Sequence, residues 1–429
     1  PVVLDKGLRF STGTLRIPVS SRLVYKPTMK AHQRYVAESV LPASVEDAFA
    51  YHERPGALGR LIPPWESVDI ESTDNSLAVG SRVVLKTRFA GVPLRWIAEH
   101  TEYDPPYLFA DTQVSGPFAA WDHRHEFTAA GEQSTLRDNI GYQVPFGSLG
   151  RVFGNAIARK TIETMFAYRH RVTREDLALA RRLPSKPLKV AISGSTGLVG
   201  RQLSSLLTLL GHDVKSLVRS ASTGPNSIAA WGGRDELAKL TSLDAVVHLA
   251  GRPIANGRWT PSAKDEIRSS RVDLTRQLCE TLSRLERRPS VLVCASASGF
   301  YGDRGDELLD ESSNPGNGFL ADVSREWEDA CAPAIEAGIR VVNARLGIVL
   351  SPRGGALQKM LLPAKFGGGA LGGGQQWWSW IARDDALGAL HHAVVDSTLS
   401  GPVNYVAPEP IRNRDFAKTL GTVLGRPAI

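Results

Sequence analysis

VAISGSTGLVGRQLSSLL, residues 190–207, decides how the second half of this chain folds. LKVAIS, residues 188–193, is the kind of largely apolar run that a strand buried on both faces requires. Gly194, Gly197 and Gly200 follow as G-x-x-G-x-x-G, directly after that strand and at the opening of a helix. Gly194 permits the tight turn, Gly197 lets the backbone approach a pyrophosphate, and Gly200 allows close packing of helix on strand. The helix N-terminus then faces the anion with its unpaired N–H groups. A three-glycine pattern alone is weak, but here it sits in the strand–loop–helix context that the chemistry needs.

Working outward, strands alternate with helices. HDVKSLVRS (212–220), LDAVVHLAG (243–251), SVLVCASAS (290–298) and RVVNARLGIVL (340–350) read as the later strands. That alternation predicts an α/β, Rossmann-type doubly wound parallel sheet. A second strand that ends in Asp or Glu would hold the ribose 2′-hydroxyl of NAD; this one ends Val218-Arg219-Ser220. A guanidinium there pairs with a 2′-phosphate, so the expected cofactor is NADP(H). FGGGALGGGQQ (366–376) reads as a flexible loop at the sheet's C-terminal edge.

Upstream of the Pro-punctuated stretch LPSKP (183–187) the pattern differs. RYVAESVLPAS (34–44) is an alternating strand ending in a turn, Ser44 can cap a helix through VEDAFAYHERPGALGRL, and six strand-like stretches follow between Ser67 and Pro145. A long helical segment then runs from Ser148 to Leu183, so the front part is α+β. The expected division is 31–182 and 188–429.

From about Leu188 onward the chain resembles the atypical, extended short-chain dehydrogenase/reductases grouped as NAD(P)-dependent, sugar-nucleotide-epimerase-like proteins. The resemblance rests on SGSTGLVG, DAVVHLAGRPI, RWT before EIRSSRV, SASGFYGDRGDE, FLADVSREWE, RLGIVLSPRGGAL, WWSWIARDDA and PVNYVAPEPIRN. It implies cofactor contacts at Thr196, Leu198, Val199, Arg219, Leu249, Ala250, Glu266, Arg271 and Val349. It also implies a C-terminal tail beyond Arg426-Pro427, where this chain stops at Ile429. Residues 31–180 resemble the SRPBCC (START-like, helix-grip) superfamily through their first strand and helix pair and the late FAYRHRVTREDL. That likeness implies a long helix across a curved antiparallel sheet, with a cavity for an apolar ligand between them. Trp65, Trp96, Phe109, Trp121, Phe146 and Phe166 are the candidate walls.

Short-chain dehydrogenases usually carry Tyr-x-x-x-Lys with a Ser. Here Tyr301 is the only Tyr between Tyr168 and Tyr405, and no Lys lies between Lys264 and Lys359. Phe319 and Val323 stand where the pair is expected, and Ala297 where the Ser would be. The remaining catalytic candidates are Tyr301, Ser296 and Ser298 as hydrogen-bond donors to a substrate oxygen, with Asp303, Arg325 and Glu326 nearby. Trp377, Trp378 and Trp380 form either a ligand-facing wall or a plug in the lobe's core. His123-x-His125 puts two imidazoles on one strand face, but the sequence identifies no third ligand, so no metal is assigned.

The 429 residues suffice for two or three domains, and 42% hydrophobic with 22% charged is ordinary globular usage. The net charge of +7 is scattered, without a basic block, so nucleic acid is not expected as a partner. No uncharged apolar run is long enough to span a membrane, and the opening residues lack a secretory h-region. Cys279, Cys294 and Cys331 have no metal-type spacing and read as reduced thiols of a cytoplasmic protein. The expected function is an NADP(H)-dependent oxidoreductase or epimerase-like activity on a small molecule, with a hydrophobic-ligand domain in front. The alternative is a catalytically degenerate NADP(H)-binding sensor. A lipid carrier with a scaffold behind it is a third reading, which the intact glycines weigh against.

Overall fold

Along β1 (Gln33–Leu41) half-buried and exposed residues alternate, the signature of a strand with one face on a core. This is seen in a computed structural model of the chain, which describes residues 33–89, 92–145, 147–219, 226–229, 240–255 and 257–428. Six more antiparallel strands complete the sheet: β2 (Asp69–Thr73), β3 (Arg82–Phe89), β4 (Val92–Asp104), β5 (Leu108–Ser115), β6 (Ala120–Ala130) and β7 (Gln133–Gln143). Their spatial order is β1-β7-β6-β5-β4-β3-β2, a meander closed by the return of β1 beside β7. The segment expected as one helix after Ser44 is two, α1 (Val45–Glu53) and α2 (Ala57–Leu61). Pro55 forces Arg54 out of the helical region, to ψ 142°, and Gly56 restarts the chain at φ 97°. Ser44 caps α1, its hydroxyl accepting from Asp47 N at 3.1 Å. The long α3 (Gly147–Arg182) lies against the sheet and buries Ile162, Phe166 and Val172.

The second sheet is parallel. It comprises β8 (Lys189–Ser193), β9 (Asp213–Val218), β10 (Ser227–Ala229), β11 (Ala245–His248), β12 (Val291–Ala297), β13 (Arg340–Leu346) and β17 (Gly401–Tyr405), in the order β10-β9-β8-β11-β12-β13-β17. The expected strand 340–350 breaks at Gly347 into β13 and the short β14 (Ile348–Leu350), which pairs with β16 (Trp380–Ala382); β15 (Trp377–Trp378) pairs with β18 (Ile411–Arg412). Helices α4 (Leu198–Leu209), α5 (Pro261–Ser269), α6 (Val272–Ser283), α7 (Phe319–Asp329), α8 (Ala332–Glu336), α9 (Gly355–Lys365), α10 (Arg383–Val395) and α11 (Asn413–Leu424) cover it. Val190, Val247 and Val293 are fully buried, as both-face coverage demands. From β8 the chain steps outward to β9 and β10, then returns to β11 on the other side. The switch point therefore lies between β8 and β11, where the strands' carboxyl ends leave a crevice. Cys279, Cys294 and Cys331 are free and fully buried in this half's core; hydrogen bonding with Cys331 and burial push the Cys279 thiol up. No helix among the described residues is long and apolar enough to cross a membrane.

The halves share more than a linker. Leu209 of α4 belongs to the apolar cluster of the front sheet, and Arg54 donates to its carbonyl. Arg60 of α2, 2% exposed, grips Asp176 of α3 through two parallel bonds of 2.9 and 2.8 Å. Its Nη1 reaches Asp384 of α10 at 2.6 Å, and Tyr51 adds a bond to Asp176 at 2.8 Å. Removing one member of such a pair strands a buried charge, so Arg60→Ala is expected to cost roughly 3–5 kcal/mol. Asp384→Asn, which leaves the Asp176 fork intact, costs clearly less. Chemical denaturation followed by far-UV circular dichroism compares them, and equal costs would place the stability elsewhere.

Candidate functional site

The loop between β8 and α4 has the geometry its glycines foreshadow. Gly194 sits at φ 68°, and a Cβ there would lie 2.9 Å from the Leu249 carbonyl at the end of β11. A Cβ on Gly200 would lie 2.2 Å from the Gly194 oxygen, so the helix can start this close only without one. Gly197 N donates to that oxygen at 2.9 Å, and Thr196 and Gly197 are exposed at the crevice. Leu198 touches Gly354 at the start of α9, while Val199, Leu249 and Val349 pack on one core cluster. Seven of the predicted contacts, Gly194, Gly197, Leu198, Gly200, Leu249, Ala250 and Val349, thus converge around one crevice. Arg219 stands exposed at the end of β9, in no ion pair among the described residues. Arg271 is packed beside Gly251, its guanidinium 5.1 Å over the Trp327 ring. Glu266 is turned to Arg252, 3.1 Å away.

Beneath the loop is a polar clip that the sequence reading passed over. Ser193 Oγ accepts from Leu249 N at 3.1 Å and Ala250 N at 3.2 Å. Its own proton therefore goes to His248 Nδ1, 2.7 Å away. Burial pushes His248 down to about 4, so the ring is neutral and its Nε2 carries the proton, with no partner in the core. The signal was available: a His at the end of an apolar strand, opposite a Ser at the end of its neighbour.

At the ends of β12 and β13 two of the three catalytic candidates, Ser296 and Tyr301, join one network. Arg345 of β13 forks onto Glu328, 2.8 Å on each side, and stacks 3.5 Å over Phe300. Ser296 donates to the same carboxylate at 2.6 Å. Tyr301 donates to Asn404 Oδ1 at 2.7 Å and accepts from Arg345 at 2.9 Å. Ser298, half-buried, makes no side-chain hydrogen bond among the described residues. At the expected Tyr and Lys positions, Phe319 lies under the Lys264 ammonium at 5.2 Å and Val323 is buried. Asp303 and Arg325 are exposed, and Glu326 pairs with Arg268 at 3.1 Å. The three tryptophans fasten loops: Trp377 to Asp306, Trp380 to the Glu409 carbonyl, and Trp378 against Phe416.

The front half holds a cavity of about 180 Å³ between sheet and helices. Trp96, Phe109 and Trp121 line it; Phe166 is in the core, Trp65 packs outside on Tyr168, and Phe146 lies outside the described residues. His123 and His125 also face it. Burial disfavours charge on His123, but the carboxylates of Asp111 and Asp138 outweigh it and lift the ring to about 9. Burial and the neighbouring His123 charge press His125 down to about 3.

Residues 190–405, a parallel sheet with this loop at its switch point, match the NAD dependent epimerase/dehydratase family. The chain belongs to that family. Residues 41–166 match a second one, polyketide cyclase/dehydrase and lipid transport proteins. An epimerase family protein of Mycobacterium bovis is 40% identical over 242 residues, spanning 56% of this chain and 79% of its own. A nucleoside-diphosphate sugar epimerase of Corynebacterium glutamicum, 34% identical, superposes with TM-score 0.78 over 92% of this chain and 84% of that one. A human epimerase family protein solved with NADPH is 35% identical, with TM-score 0.52 over 56% of this chain and 82% of that one.

The clip under the phosphate loop of this epimerase-family half makes its stability pH-dependent. The folded His248 pKa, about 4, is below the ordinary 6.5. The unfolded chain therefore binds the extra proton between those values, and stability present at pH 7 is lost as pH falls from 6.5 toward 4. One group can contribute about 3 kcal/mol over that window. His248→Asn keeps an acceptor for Ser193 and cannot titrate; denaturation midpoints at pH 7 and 4.5 should lie closer together in this variant than in the parent.

Proposed function

We propose that the epimerase-family half binds NADP(H) across the crevice between β8 and β11 and passes hydride to or from a small carbonyl or nucleotide-sugar substrate. The observation that carries this is the cradle itself, at the N-terminus of α4: a Cβ on Gly194 or Gly200 would come within 2.9 and 2.2 Å of backbone atoms, so only glycine fits there. Thr196, Gly197, Leu198 and Val199 would face the pyrophosphate, and Leu249 and Ala250 the adjoining ribose. Arg219 is the group for the 2′-phosphate, since it is exposed at the end of β9 and engages no carboxylate among the described residues. The human relative solved with NADPH supports the same choice. If Arg219 grips that phosphate, NADPH binds more tightly than NADH, and Arg219→Ala removes about 1.5–3 kcal/mol of the preference. Calorimetric titration with both cofactors measures it; equal affinities in the parent would end the assignment.

For the substrate oxygen, the pattern of hydrogen bonds favours one of the three candidates. Ser296 and Tyr301 spend their protons on Glu328 and Asn404, whereas the Ser298 hydroxyl has no partner among the described residues. Ser298 is then the donor to the reacting oxygen, and Tyr301 the residue that positions its loop. Hydride transfer over a panel of carbonyls and nucleotide sugars should fall roughly 10²–10³-fold in Ser298→Ala. A larger loss in Tyr301→Phe would reverse the two roles.

A second reading, a cofactor-binding sensor, is favoured by Phe319 and Val323 in place of the acid–base pair. NADPH binding without turnover on any substrate of the panel would select it. In front, the cavity lined by Trp96, Phe109 and Trp121 suits an apolar ligand, and Arg169 on its wall suits an anionic end of that ligand.

A further inference from the structure

We infer that the concave face of the front sheet holds a divalent transition-metal ion on Asp111, His123 and His125. Strand pairing supplies the third ligand that the sequence left unidentified. Asp111 of β5 lies directly opposite His123 of β6, and His125 follows two residues on, on the same face. Asp111 Oδ2 is 3.4 Å from His123 Nδ1 and 4.0 Å from His125 Nε2, and one ligand atom from each residue falls within 4.8 Å of the others. Donors about 2.0–2.2 Å from a shared ion stand roughly 3–4 Å apart, so side-chain adjustments of up to about 1 Å close the site.

The outer nitrogens carry the argument further. His123 Nε2 lies 3.3 Å and His125 Nδ1 2.6 Å from the same oxygen, Asp138 Oδ1. The second contact is an electrostatic pair rather than a linear hydrogen bond. Asp138, 2% exposed, is held in turn by His170 Nε2 at 2.8 Å, and His170 Nδ1 by Ser39 at 2.7 Å. Imidazoles that bind metals characteristically turn their second nitrogen to a carboxylate, which fixes the ring and raises its basicity. One buried carboxylate does this here for both rings and leaves their other nitrogens facing Asp111. The rings are also clamped: Phe109 stacks on His125 with centroids 3.9 Å apart, and Phe166 meets His123 edge-on at 5.0 Å.

The three ligands line the front cavity, whereas Asp138 and His170 lie behind them. An ion there keeps its remaining positions toward the cavity, for water or an oxygen of the ligand. Two imidazoles and one carboxylate, without thiolate, suit zinc or ferrous iron rather than calcium or magnesium. This site is independent of the NADP(H) reading, because it uses no residue of the second half.

The test uses the full chain, stripped with a chelator and titrated with zinc, and then with cobalt as a spectroscopic probe. One zinc per chain is expected, and a cobalt spectrum of nitrogen and oxygen ligation without thiolate charge-transfer bands. Asp111→Asn, which keeps the shape of a half-buried side chain, and His125→Ala should each abolish stoichiometric binding. Asp138→Asn should weaken it about 10–100-fold. His392→Ala, at the surface pair His392–Asp396, should change nothing. Circular dichroism confirms that each variant is folded. Failure to bind zinc at micromolar concentration, binding indifferent to Asp111→Asn, or a thiolate spectrum from the buried cysteines would each overturn the site.

Discussion

Arg60 is the residue on which the assembly of the two halves turns. Its guanidinium is committed on three sides, to Asp176 through a fork and to Asp384 across the junction. A planar, permanently charged group with fixed donor directions can hold α2, α3 and α10 in one arrangement, as a lysine could not. Because α4 begins at the phosphate loop and ends with Leu209 in the front core, this junction also fixes the far end of the helix that presents the glycine cradle. The front cavity and the crevice at the glycine loop are thus set on a common frame.

The sequence was most legible where a single local pattern carried the whole message. The apolar run before Gly194 and the three glycines located β8, the turn and α4, since a buried parallel strand tolerates almost nothing else. The front strands were legible as a run of short strands after the first helix, because alternation and turn residues act over short range. What stayed hidden was set by pairing between distant segments. Asp111 and His123 are opposite one another only through the β5–β6 register, and Asp138 reaches His125 only through β6–β7. Arg345 and Glu328 likewise look like ordinary charges in the chain and become neighbours of Ser296 and Tyr301 only in the sheet.

The network around Arg345 and the front cavity deal differently with buried polar groups. At the strand ends of the second sheet, the hydroxyl protons of Ser296 and Tyr301 and the Arg345 fork have named acceptors, whereas Ser298 has none among the described residues. Such closed networks hold loops in one position, since breaking any member exposes a desolvated partner. In the front cavity the accounts stay open: Trp96 Nε1 and Arg169 Nε on its wall find no partner among the described residues. Orphaned groups around an apolar-walled space are what a ligand with a polar end completes.

The placement of the three cysteines has a practical side. All are interior, and packing keeps Cys279 and Cys331 as protonated thiols, the form that does not attack electrophiles. A maleimide offered to the folded chain therefore meets no native nucleophile. One cysteine engineered on the outer surface would take a fluorophore or spin label alone, with all the natural thiols left in place, and distances between the two halves become measurable without a cysteine-free background.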